Sequence, residues 1–154
     1  MTIYLIRHAH AVEGEDDARR PLSDKGRRQI RTMARFLRRS GRLETREFWH
    51  SPLVRARDTA SLLAAAMKAD VRLVEVSGIE PYADPAVLAA RLKRLRRSVA
   101  VVGHEPHLST LATLLLLGRA EQPVLVLKKG AVAALERKDG RWRLRWQVSP
   151  KEIA

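Results

Sequence analysis

A chain of 154 residues, 45% of them hydrophobic, is about one domain's worth and carries enough apolar side chains for a real core. It has no cysteine, which excludes disulfides, thiolate metal sites and a thiol nucleophile, and no run nears the ~20 apolar residues that span a bilayer. Thirty Lys and Arg against 17 Asp and Glu give a formal charge of +13; this suits an acidic partner, or the solvated faces of an Arg-rich protein.

The chain alternates strand and helix. Residues 2–6 form an apolar, β-branched first strand that ends at Arg7-His8. A polar loop with Glu13, Glu15, Asp16 and Asp17 leads to Ser23, the expected N-cap of a helix over 24–39 that Gly41 ends. Ile30, Met33, Ala34 and Leu37 give that helix its apolar stripe. A short second strand lies near 47–49. Ser51-Pro52 reads as cap and first position of a second helix, whose core face is Leu53, Ala56, Ala60, Leu63, Ala64 and Met67.

The third strand is 71–76. Asp84-Pro85 opens a third helix through Leu88, Leu92 and Leu95. Residues 99–102 form a fourth apolar strand that ends at Gly103-His104. After Pro106 a fourth helix runs to Gly118, and 124–127 is a further strand candidate. Segments 131–137 and 141–148 make a hairpin about Asp139-Gly140, with Trp142 and Trp146 alternating on one strand as packing residues. The expected architecture is α/β: a single three-layer α/β/α domain over 1–154, with a mostly parallel sheet and an antiparallel C-terminal edge hairpin. There is no internal repeat and no linker.

Ligands of open α/β sheets bind where strands end. The first strand delivers Arg7 and His8 there, and the fourth delivers His104. Gly103 before it would let backbone approach a ligand closely. Arg55 falls in the first turn of the helix after strand two, a location that favours anions. Arg there opposes the helix dipole unless an anion is present. Taken singly, each has a bland reading: a histidine satisfied by backbone groups beside a helix, a loop histidine next to Pro106, and an exposed arginine. Together, three strand ends each deliver a residue suited to phosphoryl groups. An imidazole can be a nucleophile, and arginine forks match phosphoryl oxygens.

Arg7-His8-Ala9 resembles the Arg-His-Gly signature of the histidine phosphatase, or phosphoglycerate mutase-like, superfamily. Ser51-Pro52 through Arg55-Ala56 to Thr59 resembles its second block, and Val102-Gly103-His104-Glu105-Pro106 its third. The chain is similar to the short SixA-type phosphohistidine phosphatases, which lack a cap insertion. Arg20-Pro21-Leu22-Ser23 with Gly26, the segment from Pro81 to Pro85, and Trp146 to Pro150 extend the likeness over nearly the whole chain.

The resemblance implies a phosphoglycerate mutase-like fold and covalent catalysis. His8 would be the nucleophile, Arg7 and Arg55 would clamp the transferring phosphoryl group, and His104 would donate to it as a cation. No metal or other cofactor is implied, since the cationic side chains neutralise the charge. Glu80 is the positional candidate for a general acid, with a surface-loop carboxylate as its alternative. Arg20 would support the pocket from outside. His107 is expected at the surface start of the fourth helix, near enough to meet a substrate. Ala9 stands for the common Gly, Glu105 for a frequent Asn, and His50 for a frequent Ser. Glu105 would bring a carboxylate close to the oxyanion pocket.

The expected function is that of a phosphatase for protein phosphohistidine. The alternatives are a phosphatase or mutase for small phosphoesters, and a catalytically degenerate anion-binding module. With no signal peptide legible before Arg7, the expected compartment is the cytoplasm. The expected form is a monomer without membrane association. Nucleic acid is not favoured as a partner, because aromatics do not interleave with the basic runs.

Overall fold

β1 (Thr2–Arg7) lies at the centre of a six-stranded sheet of order β3-β2-β4-β1-β5-β6, and Ile3 to Ile6 are all fully buried there. A computed structural model describes residues 1–154. β2 (Glu47–His50), β3 (Arg72–Glu75) and β4 (Val99–Gly103) run parallel to one another and to β1. β5 (Val132–Lys138) is antiparallel to both β1 and β6 (Arg141–Val148). The sheet is mostly parallel with an antiparallel edge hairpin, as expected.

Side-chain alternation along the strands builds two cores. Ile3 and Leu5 of β1, with Val99 and Val101 of β4, face Leu88, Leu92, Leu108 and Leu111. These last belong to α3 (Pro85–Arg94) and α4 (His107–Leu117). Tyr4, Ile6, Ala100 and Val102 face Ile30, Met33, Leu37, Ala60 and Leu63 on the other side. Those sit on α1 (Asp24–Ser40) and α2 (Val54–Met67). Each fully buried aliphatic or aromatic side chain contributes ~1.5–3 kcal/mol. No helix is long and apolar enough to cross a membrane.

Caps fix the helix ends. Ser23 Oγ accepts from Gly26 N at 3.1 Å, and Asp84 Oδ1 accepts from Ala86 N at 2.9 Å. Gly41 and Gly118 end α1 and α4 in the left-handed region, at φ 66° and 77°.

Three expectations differ. α2 begins at Val54 with Leu53 as cap, because the Ser51 side chain is engaged elsewhere. The segment 124–127 is not a strand, since both edges of β1 are already paired and side chains take its backbone groups. Thr113 Oγ1 accepts from Val124 N, Gln147 Nε2 donates to Val126 O, and Leu127 is held from both sides. Trp142 and Trp146 pack against opposite cores, because a register shift in the β5–β6 pairing, between Ala134 and Leu135, breaks the two-residue period.

Candidate active site

Register brings the two histidines together. Arg7 is the β1 partner of Gly103 on β4, so the residues that follow, His8 and His104, leave the sheet side by side. His8 N donates to Gly103 O at 2.9 Å, and the two imidazole centroids lie 5.1 Å apart. The crossover helices α1 and α4 leave these adjacent strands toward opposite faces, which makes this the switch point of the sheet. His50 closes β2, paired with Val102 of β4, so α2 starts beside the same rim and brings in Arg55. His8, His104 and Arg55 are 7%, 1% and 5% exposed, so charge placed among them meets little water.

Each side chain is held. His8 Nδ1 lies 2.7 Å from Ala9 O. A carbonyl only accepts, so Nδ1 carries the proton and the Nε2 lone pair is free. Thr59 Oγ1 donates to Arg55 O at 2.8 Å and accepts from Ala9 N at 3.0 Å, tying α2 to the loop that carries His8. His104 Nε2 lies 2.6 Å from Ser51 Oγ. Arg7 donates through one terminal nitrogen to Leu127 O at 2.9 Å. Arg55 donates to Asp17 O at 2.8 Å and to Asp17 Oδ2 at 3.3 Å. Arg7 Nε and His104 Nδ1 are buried and have no partner within the chain. An oxyanion is the kind of ligand that would satisfy both.

Burial holds both imidazoles neutral. His8 is pushed down to about 4, first by desolvation and then by Arg55, Arg7 and Lys129; the Ala9 carbonyl opposes the shift. His104 is pushed down to about 3, by desolvation, His8, Arg55 and His107, with Asp17 pulling the other way. His104, expected as a cation, is therefore held as a neutral imidazole, because the pull of Asp17 does not offset the burial. A bound phosphoryl dianion would raise it.

The remaining expected residues fall around this centre. Arg20 donates to Val12 O at 2.8 Å and to Asp17 Oδ1 at 3.0 Å, so it reaches Arg55 through Asp17. Glu105 is engaged by groups of its own chain, and its charge acts on Arg7. Its carboxylate caps α4 through Ser109 N at 2.8 Å and the Ser109 hydroxyl, and accepts from Leu127 N at 3.0 Å. The peptide of Leu127 is thus held between Glu105 and Arg7. His107 is 2% exposed rather than superficial, with neither ring nitrogen partnered within the chain. Burial lowers its proton affinity, whereas Glu80 and the backbone of Gly78 raise it. Glu80 is folded back on Gly78 N at 3.0 and 3.3 Å.

Gly103 serves packing: a Cβ there would stand 2.7 Å from Ile79 Cγ2. The space expected for a ligand is filled by that isoleucine. Sequence reasoning placed Ser51 only as a cap and Thr59 only within a motif. It read Asp17 as loop and passed over Lys129. Lys129 precedes Gly130, whose N–H is bonded to the carbonyls of Arg7 and His8; nothing in its local sequence signals that proximity.

The sequence profile of the Histidine phosphatase superfamily (branch 1) matches residues 3–77. A protein of unassigned function from Picosynechococcus sp. is 31% identical over 139 residues, which cover 86% of this chain and 83% of that one. The phosphohistidine phosphatase SixA of Escherichia coli is 25% identical over 155 residues, covering 97% and 94%. The structure of protein histidine phosphatase SixA complexed with tungstate superposes with a TM-score of 0.89 at 26% identity, covering 100% of both chains. With the two histidines and their flanking arginines at one rim of this sheet, the chain belongs to the histidine phosphatase superfamily, branch 1, as a phosphatase similar to SixA.

Proposed function

We propose that the chain hydrolyses protein phosphohistidine through a covalent phosphohistidine intermediate on His8. The observation that carries this reading is the His8 Nδ1–H donated to Ala9 O at 2.7 Å, on an imidazole held neutral. That tautomer aims an unprotonated Nε2 lone pair away from the backbone, as a nitrogen nucleophile requires.

In the first step Nε2 of His8 attacks phosphorus, and the bond from phosphorus to the leaving imidazole breaks. That imidazole, already protonated on its other ring nitrogen, takes the bonding pair and departs as the neutral ring. Arg7 and Arg55 lie against the equatorial oxygens, and His104 donates through Nδ1. In the second step water attacks the same phosphorus and the bond to Nε2 breaks. Phosphate leaves, and His8 is restored with its original proton on Nδ1. Two guanidinium groups supply the charge neutralisation that a divalent metal supplies elsewhere, so this reading calls for no metal or other cofactor.

Two further observations support the substrate class. No further helix or strand is inserted between the alternating strands and helices beyond a short turn at Asp17–Arg19, which favours a site open to a protein-borne phosphoryl group. The related SixA of Escherichia coli bears the name phosphohistidine phosphatase. The chain would act in the cytoplasm as a monomer on a phosphohistidine-bearing protein.

The test is phosphoenzyme trapping. Incubation with phosphoramidate followed by alkaline quench should label His8, and His8→Ala should abolish the label. His104→Ala should slow labelling without abolishing it, and chelators should leave the rate unchanged. Labelling of another residue, or a rate that depends on added divalent metal, overturns the mechanism.

A further inference from the structure

Arg55 does not meet the pocket alone. Its terminal nitrogens donate to Asp17 O at 2.8 Å and Asp17 Oδ2 at 3.3 Å, while Asp17 Oδ1 accepts from Arg20 at 3.0 Å. Arg20 is anchored in turn on Val12 O. One carboxylate thus bridges two guanidinium groups and is fixed at the lip of the site. Of the five guanidinium donors of Arg55, two are committed to Asp17 and three remain. The influence of Asp17 reaches His104 as well.

This placement costs affinity for anions. A phosphoryl group bound by Arg55 must share that guanidinium with a formal negative charge. In a chain of net charge +13, the loop around it adds Glu13, Glu15 and Asp16, all of the same sign. The cost depends on what the phosphoryl group is attached to. A phosphorylated imidazole protonated on its other ring nitrogen carries positive charge on the ring and is attracted by a carboxylate on the lip; a leaving group bearing its own carboxylate is repelled.

We propose that Asp17 is a specificity-determining residue, which favours phosphoryl donors with a neutral or cationic leaving group over donors whose leaving group is anionic. The inference rests on the reading above only in taking Arg55 as a phosphoryl contact.

The test compares two phosphate esters of similar size as competitive inhibitors of phosphoramidate hydrolysis: 3-phosphoglycerate, with a carboxylate tail, and glycerol 3-phosphate, with a neutral one. Asp17→Asn removes the charge and keeps an amide oxygen for Arg55 and Arg20. The backbone bond from Arg55 to residue 17 is untouched. Wild-type protein should bind 3-phosphoglycerate more weakly than glycerol 3-phosphate, and Asp17→Asn should shrink that ratio about 5-fold, an effect of the size expected for charges near a protein surface. Asp17→Ala should shrink it likewise, even where both affinities drop because Arg55 has lost a support. Any effect on phosphate positioning cancels in the ratio. A ratio unchanged in both variants overturns the inference, as does a wild-type preference for 3-phosphoglycerate. The assay needs only oxyanion binding and phosphoramidate turnover, so a failure to label His8 would overturn the covalent reading and leave this comparison intact.

Discussion

Ser51 Oγ stands 2.6 Å from His104 Nε2 and accepts the N–H of Leu53 at 3.1 Å. With Leu53 donating to the oxygen, the hydroxyl proton is available to Nε2. His104 then keeps its own proton on Nδ1, the buried nitrogen without a partner in the chain. A hydroxyl at the end of one strand therefore sets the tautomer of an imidazole at the end of the next. Ser51→Ala should lower kcat/KM for phosphoramidate by about 10- to 100-fold, the scale of one buried polar group left unpaired. Far-ultraviolet circular dichroism should be unchanged. An unaltered rate would mean that His104 needs no such orientation.

The low proton affinity of the two imidazoles makes folding pH-dependent in a defined direction. His8 and His104 take up protons near 6.5 when unfolded, but at about 4 and about 3 in the folded chain. The unfolded state therefore binds more protons between these values. Stability from this source is complete above pH 6.5 and is lost as pH falls from 6.5 through about 4 for His8 and about 3 for His104. Ring-carbon NMR titration should give both midpoints well below 6.5, and inorganic phosphate should raise the His104 midpoint. A ligand-free midpoint near 6.5 for either ring contradicts the buried arrangement.

Gly26 sits where the loop after β1 meets the first turn of α1. A Cβ there would stand 2.1 Å from His10 O, a backbone atom that cannot give way without moving the loop that holds His8. On helix propensity alone, alanine would gain ~1 kcal/mol. The clash should outweigh this, and Gly26→Ala should lower Tm by at least about 5 °C, with reduced turnover. A higher Tm would show that α1 can slide without cost.

Glu80 tests leaving-group chemistry. Its carboxylate rests on Gly78 N, beside buried His107, in a loop whose Ile79 packs on Gly103. Glu80→Gln keeps an acceptor for Gly78 and removes the acid. Phosphoramidate turnover should change less than about 3-fold, whereas any phosphomonoester turnover should fall ~10²-fold or more, the usual worth of a general acid. Equal losses on both substrates would assign Glu80 to holding the loop.

Glu105 carries the opposite expectation. Its carboxylate joins the N-terminal turn of α4 to the peptide of Leu127, which Arg7 grips from the other side. Glu105→Ala should lower thermal stability and weaken phosphate binding together, through Arg7. Tighter phosphate binding in this variant would restore Glu105 to the pocket as a repelling charge.

Local patterns set much of this molecule before any tertiary contact. Apolar runs after Thr2 and before Gly103 specify buried strands. Ser23, Gly41 and Gly118 punctuate helices, and Asp139-Gly140 turns the hairpin, because these signals act over a few residues. Placing His8, His104 and Arg55 near strand ends was legible for the same reason. What the sequence could not state was who touches whom across strands. The register of Arg7 with Gly103 sets two tilted imidazoles side by side whose residues are 96 positions apart. Burial at that junction, which no local pattern encodes, keeps both rings neutral. Glu105 is committed to the N–H groups of α4 and Leu127 while its charge acts on Arg7, and His107 is buried with the Gly78–Glu80 loop near it. Asp17 reads as one acid among several in a solvated loop until α2 brings Arg55 beneath it. Contacts between distant segments depend on chain path and packing, so tertiary structure alone decided the charge, tautomer and neighbours of the site.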